Sequence, residues 1–261
     1  MDKKVSPKKH LGQHFLTDLN IAAKIVAQLT LPGGLSDVLE IGPGMGVLTQ
    51  YLLQRPEYKT TVIEIDRESV AYLQQHFPQL ENRIISADFL KLDLSELYPD
   101  KFAIIGNFPY NISSQIFFKV LAHRNQVMEV VGMLQKEVAE RIAAPPGSKT
   151  YGILSVLLQA FYKITYNFTV HEHVFNPPPK VKSAVISLVR NDVSELPCSE
   201  SLFFEVVKQS FGTRRKTLRN CLKSFQITPE ISALPVFDKR AEQLSVADFI
   251  ALTQLLEPFK K

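Results

Sequence analysis

The chain has 261 residues, 45% of them hydrophobic, and a net charge of +4 from 30 basic and 26 acidic side chains. That size suits one large α/β domain with a small appendage. The only two cysteines, Cys198 and Cys221, exclude a disulfide framework and zinc spacing. No run is long enough to span a bilayer, and the N-terminal lysines lack the apolar stretch of a secretory signal. The expectation is a reduced, cytoplasmic protein with no membrane partner and no metal. Charge is unevenly placed. Residues 211–223 hold Arg214, Arg215, Lys216, Arg219 and Lys223 with no acid, and residues 1–10 hold Lys3, Lys4, Lys8 and Lys9 against Asp2 alone. Two basic segments on a mildly acidic body suggest a polyanion partner, most plausibly nucleic acid, although solvated basic segments read the same way.

Leu19, Ala22, Ile25, Val26 and Leu29 fall at helical spacing and predict a helix from about Asp18 to Leu29, with Thr17 or Asp18 as its cap. Strand and helix patterns then alternate. Val38–Ile41 is a strand, followed by a helix through Leu48, Tyr51 and Leu52. Thr60–Ile65 is a strand before a helix over Arg67–His76. Arg83–Ser86 and Phe102–Gly106 are further strands, with a helix over Ser113–His123. Val127–Leu134 is a strand and Lys136–Ala143 a helix. Such alternation implies a parallel sheet with helices on both faces. After Pro145-Pro146-Gly147 a helix near Ile153–Phe161 precedes strand-like runs over Lys163–Val170 and Ala184–Val189, separated by Pro177-Pro178-Pro179, which points to a hairpin-like edge. Residues 191–197 read as a linker, and helical periods dominate beyond it. The expected fold is α/β: a Rossmann-like, mostly parallel sheet with one antiparallel edge strand over 1–190, and a small all-α domain over 191–261.

Glu40-Ile41-Gly42-Pro43-Gly44-Met45-Gly46 joins the first of these sheet strands to a helix. Glycines allow a sharp turn and close approach to a ligand. A dinucleotide fingerprint would read Gly-x-Gly-x-x-Gly, but position 47 is Val, and an acidic rim suits a cation better than a pyrophosphate. A plain tight turn is the alternative. Glu64 sits near the end of the next strand, where a carboxylate can accept bonds from both ribose hydroxyls. Its neighbour Asp66 reads as a helix cap. Asp88 follows the third strand and reads equally as an acceptor for an adenine amino group or as a turn residue. Together these describe a nucleoside site without a phosphate-binding element, terms that S-adenosylmethionine meets. Beyond them, Asn107-Phe108-Pro109-Tyr110 stands where an apolar strand runs out. An amide oxygen, an exposed carbonyl and an aromatic ring can hold a planar amino group and stack on its base. Ordinary turn chemistry gives the same tetrapeptide.

These motifs occur in one order with Lys8-Lys9-His10-Leu11-Gly12-Gln13-His14-Phe15-Leu16 ahead of them and, after them, Phe175-Asn176-Pro177-Pro178-Pro179-Lys180-Val181 and Phe211-Gly212-Thr213-Arg214-Arg215-Lys216. The set resembles the ribosomal RNA adenine N6,N6-dimethyltransferases, nearest the bacterial small-subunit (16S) type linked to kasugamycin sensitivity. The resemblance runs from about Lys8 to Lys223. It implies a class I methyltransferase sheet and S-adenosylmethionine as cofactor. It implies that residues 13–16 close over the methionine end, with His14 and Leu16 in contact. Gly42, Gly44 and Gly46 would underlie the cofactor, with Glu64 and Ile65 at the ribose and Asp88 and Phe89 at the adenine. Asn107 would lie between cofactor and substrate. His14 departs from the commoner Asn, and Phe108 from the commoner Leu.

The Asn107 side-chain oxygen and the Phe108 carbonyl would accept the two N–H bonds of the target adenine, freeing its lone pair for attack on the sulfonium methyl. Tyr110, set by Pro109, would stack on one face of a base drawn out of its stack, and Phe175 could close the other, or else be a core aromatic before a proline turn. Lys8, Lys9, Arg214, Arg215, Lys216, Arg219 and Lys223 would bind RNA, with Arg215, Arg219 and Lys223 four apart on one helical face. The implied partner is 16S rRNA within an immature small subunit, and the enzyme a monomer. Three rivals remain: a large-subunit enzyme of the macrolide-resistance type, a non-catalytic ribosome-assembly factor, and a small-molecule methyltransferase, which would leave the basic segments unexplained.

Overall fold

The computed structural model describes residues 5–213 and 215–259, and the chain forms two compact units. The first comprises Met1–Ala139 and Lys163–Arg190. It opens with a two-residue strand β1 (Phe15–Leu16) and helix α1 (Leu19–Val26). Of the two candidate caps for α1, Asp18 serves: its carboxylate accepts the N–H groups of Asn20 at 2.9 Å and Ile21 at 3.0 Å. The Thr17 hydroxyl instead donates to the Val174 carbonyl at 2.8 Å. Then follow β2 (Asp37–Ile41), α2 (Thr49–Leu52), β3 (Lys59–Glu64), α3 (Arg67–His76), β4 (Ile84–Ser86), α4 (Leu94–Leu97), β5 (Phe102–Asn107), α5 (Ser113–Ala122), β6 (Val127–Gln135) and α6 (Lys136–Ala143). The chain passes into the second unit within α6, after Ala139, and returns with β7 (Tyr162–Val170), β8 (Phe175–Asn176) and β9 (Ser183–Arg190).

Seven strands form one sheet in the order β4-β3-β2-β5-β6-β9-β7. The pairs β3/β4, β2/β3, β2/β5 and β5/β6 are parallel, and β9 runs antiparallel to β6 from Gln135↔Ser183 to Glu129↔Val189. The antiparallel strand β9 thus lies one place inside the edge strand β7. Central strands covered on both faces need continuous apolar runs, and Phe102–Gly106 is buried throughout. Gly106 and Gly132 matter here because the Phe108 ring fills their space. A Cβ on Gly132 would stand 2.4 Å from Phe108 Cε2, and one on Gly106 2.5 Å from the Ile41 carbonyl. Outside this sheet, β1 and β8 pair antiparallel as Phe15↔Asn176 and Leu16↔Phe175. Two-residue strands carry no period, so the sequence gives no sign of this ladder.

The second unit comprises Glu140–Tyr162 and Asn191–Lys261, so the division differs from a single cut after residue 190. Its helices are α7 (Ile153–Gln159), α8 (Glu200–Phe211), α9 (Leu218–Cys221), α10 (Pro229–Ser232) and α11 (Val246–Leu256). Helix α7 belongs to this unit, and its residues 154–158 are all buried, with the one polar side chain among them, Ser155, donating to the Arg141 carbonyl. Within this unit α7 packs on α8 and α11, and the Tyr151 and Phe211 rings meet edge to face at 6.2 Å. The expected basic helical stripe is also corrected. Only Leu218–Cys221 is α-helical, Arg215 and Lys216 precede it in a turn, and Lys223 begins a separate 3-10 turn. Thr217 is extended at φ −71° and ψ 159°, which prevents one helix from carrying all three cations. Arg219 is engaged by Asp238 at 2.6 Å. Arg214 lies outside the described residues.

Among the described residues, no helix is long and apolar enough to cross a membrane, and no group of three or more His, Cys, Asp or Glu could hold a metal ion.

Candidate active site

Strand order reverses between β2 and β5: the chain builds outward to β4 on one side and to β6 on the other. Ligands of open parallel sheets bind at the carboxyl ends of the strands at such a point. A cavity there is lined by residues following β2 (Gly42, Gly44), at and after β3 (Glu64, Ile65), after β4 (Asp88, Phe89) and at and after β5 (Asn107 to Tyr110). A second cavity beside it is lined by Leu16, Glu40, Gly42, Pro43, Gly44 and Asn107, and Phe15 borders both.

Gly42 has φ +65°, and a Cβ there would meet nothing within 4 Å, so it leaves open space for a ligand. Gly46 differs: its Cβ would strike the Phe77 ring at 2.4 Å, so its role is packing and it borders neither cavity. Glu64 is buried, with Oε2 accepting the Gly44 N–H at 3.0 Å and Oε1 the Asp66 N–H at 2.8 Å. Burial raises its pKa above the usual carboxylate range, against those backbone bonds. Glu40, expected as an acidic rim, lines the second cavity but is only 1% exposed, with the Thr49 hydroxyl donating to it at 2.6 Å. Burial pushes its pKa up to about 8. Asp88 lines the cavity and also caps the turn Phe89–Lys91, accepting the Leu90 N–H at 3.0 Å. The turn reading of this residue is thus the one its hydrogen bond fills, at the cavity wall. Ile65 is half exposed at the cavity wall, whereas Phe89 is 4% exposed.

Among the described residues neither cavity is lined by Lys or Arg. A pyrophosphate would find no counter-charge there, whereas a nucleoside with a sulfonium and no phosphate meets carboxylates and an open glycine. The residues present therefore fit S-adenosylmethionine.

The tetrapeptide is anchored from below. The Phe108 ring is 1% exposed over Gly106 and Gly132, and its N–H donates to the Met133 carbonyl at 2.9 Å. Asn107 donates its side-chain N–H to the His14 carbonyl at 2.9 Å. Among the described residues no hydrogen bond uses the Asn107 side-chain oxygen or the Phe108 carbonyl. Two acceptors thus stand unengaged beside the cavity. The Tyr110 hydroxyl is held by the buried Ser183 hydroxyl on β9 at 2.5 Å, and burial raises its pKa. This fixes the ring.

A strap, residues 10–15, also lines this cavity. His14 stacks on Tyr110 at 5.5 Å with planes 28° apart, and its Nδ1 lies 2.8 Å from the Pro177 carbonyl. Phe175, expected as the second clamp on a base, does not line the cavity. It is 4% exposed in the core with Leu16, Val170 and Val174, because the β1/β8 ladder turns it inward. The ring facing Tyr110 is His14.

Lys8, expected on RNA, is ion-paired with Asp66 and lies 3.5 Å from Glu68. Gln13 donates to the other Asp66 oxygen at 3.4 Å and accepts the Lys8 N–H at 2.8 Å. Burial would raise the Asp66 carboxyl, but the bonds from Lys8 and Gln13 outweigh it and hold it below the usual range. Sequence reasoning gave Asp66 only its capping role, which it also fills by accepting from Glu68 N–H and the Ser69 hydroxyl. Lys9 is exposed.

The ribosomal RNA adenine dimethylase family matches residues 5–257. A ribosomal RNA small subunit methyltransferase A of Cytophaga hutchinsonii is 65% identical over 254 residues, 97% of this chain and 98% of that protein. Its counterpart of the same name in Parabacteroides distasonis is 62% identical over 251 residues, 95% of this chain and 93% of that one. Among solved structures, a dimethyladenosine transferase from Plasmodium falciparum superposes with TM-score 0.77 at 28% identity, over 94% of this chain and 97% of that chain. The 23S rRNA methyltransferase ErmE shares the fold at TM-score 0.67 and 24% identity, over 93% of this chain and 99% of that chain. The chain belongs to the ribosomal RNA adenine dimethylase family, whose methyl donor is S-adenosylmethionine.

Proposed function

We propose that the protein dimethylates the N6 amino groups of two adjacent adenosines in the 3′-terminal hairpin loop of 16S rRNA. It acts in the cytoplasm as a monomer on an immature small subunit and takes part in that subunit's biogenesis. The observation that carries this reading is the pair of unengaged acceptors, the Asn107 side-chain oxygen and the Phe108 carbonyl, beside a cavity lined by Gly42, Glu64 and Asp88. S-adenosylmethionine, when bound, supplies a methyl group activated by its sulfonium. Glu64 would take the ribose hydroxyls, Asp88 the adenine amino group and Gly42 the close backbone approach.

The residues of the chain act on the target base. An adenine amino group is a poor nucleophile because its lone pair is delocalised into the ring. Acceptors for both N–H bonds draw the nitrogen toward a pyramidal geometry and localise that lone pair. Positioning supplies much of the rate. No side-chain base is needed, since the alkylated nitrogen is acidic and loses its proton to water. Tyr110 offers a face for the extruded base. Arg215, Lys216 and Lys9 are exposed and would meet RNA phosphates, which makes binding salt-dependent. The names carried by the similar proteins support the small-subunit substrate over the large-subunit rival. Mass spectrometry of small-subunit RNA from cells lacking the gene tests the reading. Loss of two adjacent dimethyladenosines near the 3′ end is expected; intact small-subunit RNA with altered large-subunit RNA would overturn it.

A further inference from the structure

The strap and the transfer machinery share one hydrogen bond, from the Asn107 amide to the His14 carbonyl. An amide has one donating end and one accepting end. By engaging the nitrogen, His14 leaves the oxygen as the end that faces a substrate amino group. The strap is held by backbone at its C-terminal end and mainly by side chains at its N-terminal end. Its backbone pairing is the two-residue ladder Phe15↔Asn176 and Leu16↔Phe175, continued by the Thr17 N–H donating to the Val174 carbonyl at 2.8 Å. N-terminal to the ladder, its long-range contacts are side chains: His14 on Pro177 and Tyr110, and Lys8 and Gln13 on Asp66.

Asp66 is suited to hold that end. Its side chain is 1% exposed and bound to the start of α3, so it cannot follow the strap if the strap moves. Lys8 stays 29% exposed, and Gln13 joins Lys8 to the same carboxylate. Asp66 lies two residues from Glu64 and donates its own N–H to that carboxylate at 2.8 Å. One short segment thus supports a ribose acid on one side and fastens the strap on the other.

We propose that Asp66 is a positioning residue for methyl transfer: with Lys8 and Gln13 it forms a latch that seats the strap, and the seated His14 carbonyl fixes the Asn107 amide with its oxygen toward the substrate. Lys8 is then part of the latch and not an RNA contact. The proposal rests on Asn107 being an acceptor for the target amino group.

Full-length Lys8→Met, Gln13→Ala, Lys8→Arg and Asn107→Ala proteins are compared on small subunits from cells lacking the gene. Methyl transfer is read at saturating cofactor, RNA affinity across a salt series, and amide hydrogen exchange over residues 9–16. Lys8→Met and Gln13→Ala are expected to lower kcat about tenfold, a modest misplacement of reacting groups. Exchange in the strap should quicken, and RNA affinity and its salt slope should stay unchanged. Lys8→Arg, which keeps a cation for the same carboxylate, should recover kcat to within about threefold of wild type. The latch is overturned if Lys8→Met keeps kcat while RNA binding weakens and the salt slope falls by about 1, the signature of a phosphate contact. It is equally overturned if kcat falls with strap exchange unchanged. An Asn107→Ala protein with wild-type kcat would instead remove the amide assignment, a failure separate from that of the latch, which exchange reads independently.

Discussion

The sheet-edge acids are held by backbone, whereas the N-terminal end of the strap that shares their cavity is held mainly by side chains. Glu64 receives the Gly44 and Asp66 N–H groups and Asp88 receives that of Leu90, all from turns that end strands of a seven-stranded sheet. The strap relies on Lys8, Gln13 and His14 and on a two-residue ladder. Backbone groups fixed by a sheet cannot leave without opening the fold, while side-chain fastenings can open alone. On the proposed function, the sheet edge would be a preformed nucleoside seat and the strap the part whose state governs transfer.

Substitutions on the two walls should separate accordingly. The largest effect is expected from Phe175→Ala, which removes the core ring under the ladder. It should cost about 3–5 kcal/mol of stability, as buried aromatic truncations do. Denaturant unfolding reads this, and a wild-type midpoint with lost activity would restore Phe175 as a clamp on the base. Glu64→Gln should act on cofactor affinity with little change in RNA binding. Losing a charge-assisted bond costs about 1.5–3 kcal/mol, or roughly 10–100-fold in the cofactor Kd by calorimetry.

A subtler effect should follow pH. An unperturbed glutamate titrates near about 4.3, whereas burial pushes Glu40 up to about 8. Between those values the folded protein binds more protons than the unfolded chain. The stability from this group is therefore full below about pH 4 and is lost as pH rises toward about 8. The Tm of wild type should fall across that window relative to Glu40→Gln, and parallel profiles would contradict the burial argument. The smallest effect is expected in the second unit. Arg219→Ala breaks a pair whose side chains are 40% and 69% exposed. It should change stability by no more than about 1 kcal/mol.

The sheet was legible because its strands are long enough to show period and burial: Val38–Ile41, Thr60–Ile65 and Phe102–Gly106 each fall within a residue or two of β2, β3 and β5. The acids at their ends were legible for the same reason, since a residue's place at a strand end follows from the strand. What escaped depends on tertiary contact. Nothing local to Lys8 reveals Asp66, and nothing in Phe15-Leu16 reveals Phe175-Asn176. Helical spacing put Arg215, Arg219 and Lys223 on one face, but the extended backbone at Thr217 starts a helix of only four residues. Residues 140–162 join the second unit, where α7 is buried along residues 154–158, a placement that chain order conceals.

The central claim is that Asn107, oriented by the strap, accepts the amino group that is methylated. The most direct measurement is single-turnover methyl transfer to unmethylated small subunits by Asn107→Ala, beside its RNA affinity. The account predicts a fall in rate of about 10²–10³-fold, on the scale of removing one preorganised polar group from a reacting centre, with RNA binding unchanged. Transfer at the wild-type rate with RNA binding unchanged would contradict it.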